Sequence, residues 1–133
     1  MIRKFLDLGI QPLANKFLTK NDIVKNKKEK FYHLEVGFNL KTKLVSIINK
    51  ISSKKMFDAT YPYRSSMSKT MNISFNKLSK KITKNYKPNI ILEIGSNDGA
   101  FAKNFNIKKI VCLEPCKNLA KITNNMGYKT YSK

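Results

Sequence analysis

Asn89-Ile90-Ile91-Leu92-Glu93-Ile94-Gly95-Ser96-Asn97-Asp98-Gly99 decides the fold of this chain. Asn89 to Glu93, continued by Ile94, predicts a strand of the near-continuous apolar kind that parallel sheets bury on both faces. Two glycines then bracket a tight turn, and Ala100-Phe101-Ala102-Lys103-Asn104-Phe105 predicts the start of a helix. A second apolar strand, Ile110-Val111-Cys112-Leu113, closes on Glu114, and Pro115 breaks it. Asn118 to Ile122 predicts the next helix, Gly127 its end, and Tyr128 to Tyr131 a third strand. Strand, glycine turn, helix, strand and acid, in that order, open a nucleotide-binding α/β sheet.

The chemistry follows from the residue types. Gly95 and Gly99 remove side chains where the backbone must turn sharply and let a ligand approach. Asp98 is placed to cap the free N–H groups of a new helix or to hold polar groups of a ligand. Glu114 lies 19 residues after Gly95, close to the roughly 20 expected of an acid that takes a ribose cis-diol. The bland alternative is a strand–helix turn with a chance acid beyond it. A dinucleotide site would need a glycine where Asn97 stands, so a pyrophosphate cradle is the weaker reading.

Working outward, Ser65, Ser66 and Ser68 offer N-caps for a helix reaching Tyr86, which Pro88 ends. Met71, Phe75, Leu78, Ile82 and Tyr86 recur at helical spacing and predict its buried face. Further upstream, Phe5-Leu6-Asp7-Leu8 predicts a short strand closed by Gly9 and followed by extended chain to Asn15. Phe31 to Phe38 alternates cleanly, with Tyr32, Leu34, Val36 and Phe38 on one face and His33 and Glu35 on the other. Leu44 to Ile48 supplies a partner strand. The expected organisation is a β-rich unit over 1–60, a linking helix over 61–88 and a parallel α/β part over 89–133.

Composition removes several classes. The chain has 133 residues, 41% hydrophobic and 26% charged, enough apolar content for a core. Its net charge is +19, yet all but two of the 27 basic residues are lysine, the exceptions being Arg3 and Arg64. The lysines are spread along the chain without interleaved arginines and aromatics. That disfavours a dedicated nucleic-acid surface and reads as compositional bias toward Lys, Asn and Ile. No apolar run approaches the roughly 20 residues of a membrane span, and Asp7 and Gly9 interrupt any signal-peptide core. Cys112 and Cys116 are too few for a disulfide scaffold and lack zinc-knuckle spacing. A chain of the reducing cytoplasm, without a membrane partner, is expected.

The run from Glu93 to Gly99 resembles the first motif of class I S-adenosylmethionine-dependent methyltransferases. Three further stretches occur in order with it: Leu6-Asp7-Leu8-Gly9-Ile10-Gln11-Pro12-Leu13-Ala14-Asn15, Tyr61-Pro62-Tyr63-Arg64-Ser65-Ser66-Met67-Ser68, and Leu113-Glu114-Pro115. Together they resemble the sugar C-methyltransferases that carry an N-terminal zinc-binding domain before the methyltransferase domain. The resemblance implies an α/β fold: a small β-rich N-terminal unit plus the start of a Rossmann-like parallel sheet, truncated. It implies S-adenosylmethionine as cofactor and a nucleotide-linked deoxy- or keto-sugar as substrate. Glu93, Gly95, Asn97, Asp98 and Gly99 would form the cofactor loop, Glu114 would hold the adenosine ribose, and Tyr63 and Ser66 would lie beside the pocket.

Two departures from that family matter. Its zinc domain uses two Cys-x2-Cys pairs; here Met1 starts after the first, and Asn39 and Thr42 stand at the second. No zinc is expected without thiolates. The resemblance implies catalytic residues on later strands, beyond those expected in residues 89–133, so no catalytic residue is carried over. The expectation is a methyltransferase-family chain holding part of a cofactor site, inactive alone, with a second polypeptide as a possible complement. The competing expectation, from another class, is a basic non-enzymatic module for nucleic acid or an anionic polymer.

Overall fold

A computed structural model describes residues 1–132. The chain divides into two compact units, Met1–Met56 and Phe57–Lys133. No helix among the described residues is long and apolar enough to cross a membrane.

The first unit is an antiparallel sheet in the order β1 (Ile2–Pro12), β2 (Phe31–Asn39), β3 (Val45–Ile47), with short helices α1 (Lys20–Val24) and α2 (Ser53–Met56). Thr19 and Asp22 form a reciprocal capping box at the start of α1. β2 alternates as its sequence predicts only from Phe31 to Leu34; beyond that Glu35, Val36, Phe38 and Asn39 are all half-buried and Gly37 is buried. β1 does not stop at Gly9: it runs on to Pro12, with the register slipping between Asp7 and Ile10. The Gly9 N–H donates to Asp7 Oδ1 at 2.9 Å, so this glycine marks a bulge inside the strand rather than its end.

The second unit carries the buried apolar core: Ala100, Ala102, Ile110, Cys112, Cys116, Leu119, Ala120 and Tyr128. Its sheet is parallel, β4 (Ile91–Ile94), β5 (Ile110–Leu113), β6 (Lys129–Tyr131) in that order, and α4 (Lys117–Asn125) crosses from β5 to β6. In register, Ile91 meets Ile110 and Glu93 meets Cys112 on one face, while Leu92 meets Val111 and Ile94 meets Leu113 on the other. The first face holds the core. The second does not: Leu92 is 58% and Ile94 78% exposed, so β4 is not buried on both faces as its apolar run predicts.

Two further expectations are corrected. Between Gly99 and β5 the chain forms 3-10 turns, at Ala102–Asn104 and Ile107–Lys109, in place of the predicted α-helix. Asn104 Nδ2 donates to the Ala100 and Phe101 carbonyls, and Asn106 Oδ1 takes the Lys108 N–H. These side chains satisfy locally the groups a helix would have paired. The helix α3 (Lys69–Tyr86) does form, N-capped by Ser68, whose Oγ accepts from the Met71 N–H. Its inward face is Asn72, Phe75, Ser79 and Ile82, whereas Met71, Leu78 and Tyr86 are exposed. Ring stacking decides that rotation: Phe75 meets Phe101 at 5.2 Å, and Phe101 meets Phe105 edge-on at 5.0 Å. Small Ser79 and polar Asn72, which accepts from Lys103 Nζ at 2.6 Å, fill the rest of that face.

Candidate functional site

The residues that converge lie at the carboxyl ends of β4 and β5. A parallel pair ends with both chains' last carbonyls on the same side. Here the Leu113 carbonyl takes the N–H groups of Gly95 at 2.8 Å and Ser96 at 3.1 Å, folding the turn back across the end of β5. Gly95, Asn97 and Gly99 all have positive φ, at 75°, 52° and 80°. That sequence of left-handed residues suits glycine and is tolerated by asparagine.

Glu114 clamps the turn. Its Oε2 accepts the Asn97 N–H at 2.6 Å and its Oε1 the Cys116 N–H at 2.8 Å. The residue is 4% exposed, so both oxygens are committed to shaping the backbone, each with a further lone pair. Beside it, burial and the Glu114 carboxylate push the Cys116 thiol up to about 12. Cys112 is also raised by burial and by Glu93. Both cysteines are free and buried, and neither is a thiolate nucleophile at neutral pH.

Asp98 caps no α-helix; it receives the stretch that precedes α3. Ser66 donates to it twice, from its N–H to Oδ1 at 3.2 Å and from its hydroxyl to Oδ2. Asn97 binds the same stretch, Oδ1 accepting the Ser65 N–H at 2.8 Å and Nδ2 donating to the Tyr63 carbonyl at 3.2 Å. Tyr63 and Ser66 are therefore both brought to the glycine turn, Ser66 by its side chain and Tyr63 by its backbone. The Tyr63 ring is exposed.

Glu93 is different from every other acid in this unit. Its Oε2 is buried and has no hydrogen-bond partner. Burial, and secondarily the Glu114 carboxylate, raises its pKa to about 7. A buried polar atom without a partner is rare and calls for a ligand or a functional role. Ser96 Oγ, in the turn itself, and Asn118 Oδ1, at the first turn of α4, are two more such atoms, while Asn118 Nδ2 donates to the Tyr61 carbonyl at 2.8 Å. Sequence reading assigns Ser65 only as a candidate N-cap and Asn118 only as the start of a helix, and marks neither as a site residue. Gly95 supplies the remaining element: a Cβ built on it meets nothing within 4 Å. Open space thus lies directly against the turn's backbone.

The first unit holds a separate cluster that sequence reading also missed. Ligand-type atoms of Asp7, His33 and Glu35 lie within 4.8 Å of one another. His33 Nε2 is 2.9 Å from Asp7 Oδ1, and Lys4 Nζ bridges Asp7 Oδ2 at 3.1 Å and Glu35 Oε1 at 2.6 Å. The Lys4 ammonium already sits where a cation would, so the cluster is an ion-pair network across β1 and β2. Asn39, standing where a zinc thiolate would be needed by resemblance, accepts the N–H groups of Lys41 and Thr42 through Oδ1 and shapes the β2–β3 turn.

Fold and site define a mixed α/β chain with one antiparallel and one parallel three-stranded sheet, and polar residues gathered at the parallel strands' carboxyl ends. The chain matches no protein-family model and no curated protein.

Proposed function

We propose that the second unit carries the methionine-side half of an S-adenosylmethionine site in a Rossmann-like methyltransferase sheet. The reading rests on two observations above all: open space against Gly95 and, two residues earlier on β4, an unpartnered Glu93 oxygen, at the carboxyl ends of two adjacent parallel strands. In α/β sheets that is where ligands bind. The donor set fits the cofactor. Glu93 accepts from an ammonium, the turn from Gly95 to Gly99 gives close backbone approach, and Glu114 keeps one lone pair per oxygen for a ribose diol. Asn97 and Asp98 hold the Tyr63–Ser66 stretch against the turn and so form one wall. The cofactor, when bound, supplies an electrophilic methyl group; these residues bind and orient.

By the resemblance in the sequence, the acceptor is the carbon beside the keto group of a nucleotide-linked sugar. That chemistry needs a base to remove a proton and a pocket holding the carbon in line with the methyl group. No residue of this chain is assigned as that base. Further chain or a second polypeptide supplies it in this reading, and the uncovered apolar face of Leu92 and Ile94 supports such a complement.

Titration of the isotope-labelled chain with S-adenosylhomocysteine, followed by amide chemical shifts, tests the reading. Shifts confined to residues 93–99, Ser66 and Glu114 are expected, with weak affinity and no methyl transfer to nucleotide-linked keto-sugars by the chain alone. Unchanged shifts at the turn under saturating ligand refute it.

A further inference from the structure

We propose that ligand capture at the glycine turn is proton-coupled: an ammonium-bearing ligand binds only as Glu93 gives up its proton to solvent. This rests on the cofactor reading above and adds to it the condition under which the site works.

The geometry sets up the exchange. Glu93 sits on the core-facing side of β4, in register with Cys112, and its Oε2 is buried without a partner. The titratable groups that face it are the Cys112 thiol on β5, the Glu114 carboxylate after β5 and the Tyr128 phenol after α4. Two are neutral at physiological pH. The third is an acid, and among the described residues the Glu114 carboxylate is the charge that acts on Glu93. With burial and a like charge both opposing ionisation, the carboxyl keeps its proton up to about 7.

A carboxyl in that state offers an ammonium only a neutral carbonyl acceptor and no opposite charge to offset its desolvation. Arrival of the ligand's cation reverses the balance, since a buried carboxylate is favoured only beside an opposite charge. The exchange balances as Glu93–COOH plus R–NH3+ giving the ion pair Glu93–COO−/R–NH3+ and one proton released. No bond other than O–H breaks. Below the free-state pKa, each unit of pH then weakens binding about tenfold; above it, affinity is flat until the ligand's own amine titrates near about 8.

The experiment uses the whole chain and three readouts. Carbon-13 shifts of the Glu93 carboxyl give its midpoint with and without S-adenosylhomocysteine. Affinity is measured between about pH 5.5 and pH 7.5 for that ligand and for methylthioadenosine, which keeps the nucleoside but lacks the amino-acid portion. Both measurements are repeated on Glu93→Gln. The expected result is a free midpoint near 7 that falls by more than a unit on binding. Affinity for S-adenosylhomocysteine should rise more than tenfold across the range, with no such rise for methylthioadenosine or in the variant. A pH-flat affinity for S-adenosylhomocysteine overturns the proposal while leaving the cofactor reading intact. An equal rise for methylthioadenosine, or in Glu93→Gln, overturns it as well. Absence of binding at every pH, with the Glu93 midpoint still near 7, overturns the cofactor reading and removes the ligand on which the proposal depends. A free midpoint in the ordinary carboxylate range overturns the proposal whatever binds.

Discussion

Replacing Glu114 by Gln removes the clamp of the glycine turn, and the cost can be worked from two hydrogen bonds. Glu114 accepts the Asn97 and Cys116 N–H groups at 2.6 and 2.8 Å, and at 4% exposure water cannot take its place. Gln keeps one carbonyl oxygen, so one bond survives in weaker, uncharged form. The other N–H then faces an amide NH2, donor against donor. A hydrogen bond to a charged group contributes about 1.5–3 kcal/mol, and an orphaned buried donor costs about 1–3 kcal/mol. The expected loss is therefore about 2–4 kcal/mol, a large share of the stability of so small a unit. At about 4–8 °C per kcal/mol for a domain of this size, the unfolding midpoint of the second unit should fall by at least about 8 °C. Amide exchange of β4 and β5 against denaturant measures it. The same substitution removes the like charge acting on Glu93, so the Glu93 midpoint should move down from about 7. A loss under about 0.5 kcal/mol, or an unmoved Glu93 midpoint, refutes the assignment of Glu114 as the clamp.

Gly99→Ala should destabilise more than Gly95→Ala. Both force φ near +80° or +75°, costing about 1 kcal/mol for a Cβ, but only at Gly99 does that Cβ crowd a neighbour, Thr123 Cγ2 at 3.1 Å; equal midpoints in thermal unfolding would contradict this. Acid should loosen β1 from β2. Asp7 is held below the usual carboxylate range chiefly by the Gly9 N–H, then by His33 and Lys4, and Glu35 chiefly by Lys4. Groups with depressed folded pKa lend stability above their unfolded pKa and lose it as pH falls through the folded one. Amide exchange in β1 should accordingly quicken below about pH 4, and Asp7→Asn should flatten that dependence. Cys112 and Cys116 should resist thiol reagents until the second unit unfolds, because burial keeps both protonated; labelling at the rate of a free thiol would show the core open.

Much of the second unit is legible because its signals are local. Ile91–Ile94 and Ile110–Leu113 are short apolar runs ended by Gly95 and Pro115, and each boundary is chemical punctuation that needs no tertiary context. The alternation of β2 is equally local. What sequence reading misplaced depends on contacts it does not contain. The stripe Met71, Phe75, Leu78, Ile82, Tyr86 is a valid helical face by hydropathy. The helix turns a different face inward because Phe101 offers Phe75 a ring and Lys103 offers Asn72 a donor. The helix predicted after Gly99 fails through Asn104 and Asn106, whose amides outbid the backbone over two successive turns. Asp7, His33 and Glu35 meet only because a bulge shifts the β1–β2 register, and no single-strand pattern encodes a register.

The site shows the same division. Glu114 was placed by spacing from Gly95, and it does reach the turn, yet its first task is structural: it holds two backbone N–H groups. Glu93, one strand residue among isoleucines, carries the less ordinary chemistry. On β4 the pattern Ile91, Leu92, Glu93, Ile94 is apolar on both faces except for this one acid. The face that includes Glu93 is the one closed by the core, and the wholly apolar face of Leu92 and Ile94 is the one left exposed. An ordinary half-buried strand would reverse that arrangement, with its acid toward water and Leu92 and Ile94 inward. A strand that buries its acid while exposing its leucine is written for a sheet covered on both sides, in which the acid has a ligand to meet. The ionisable oxygen without a partner and the apolar face without a cover are thus two consequences of one sequence choice. Both are what the proposed cofactor site, and a complement on the open face, would resolve.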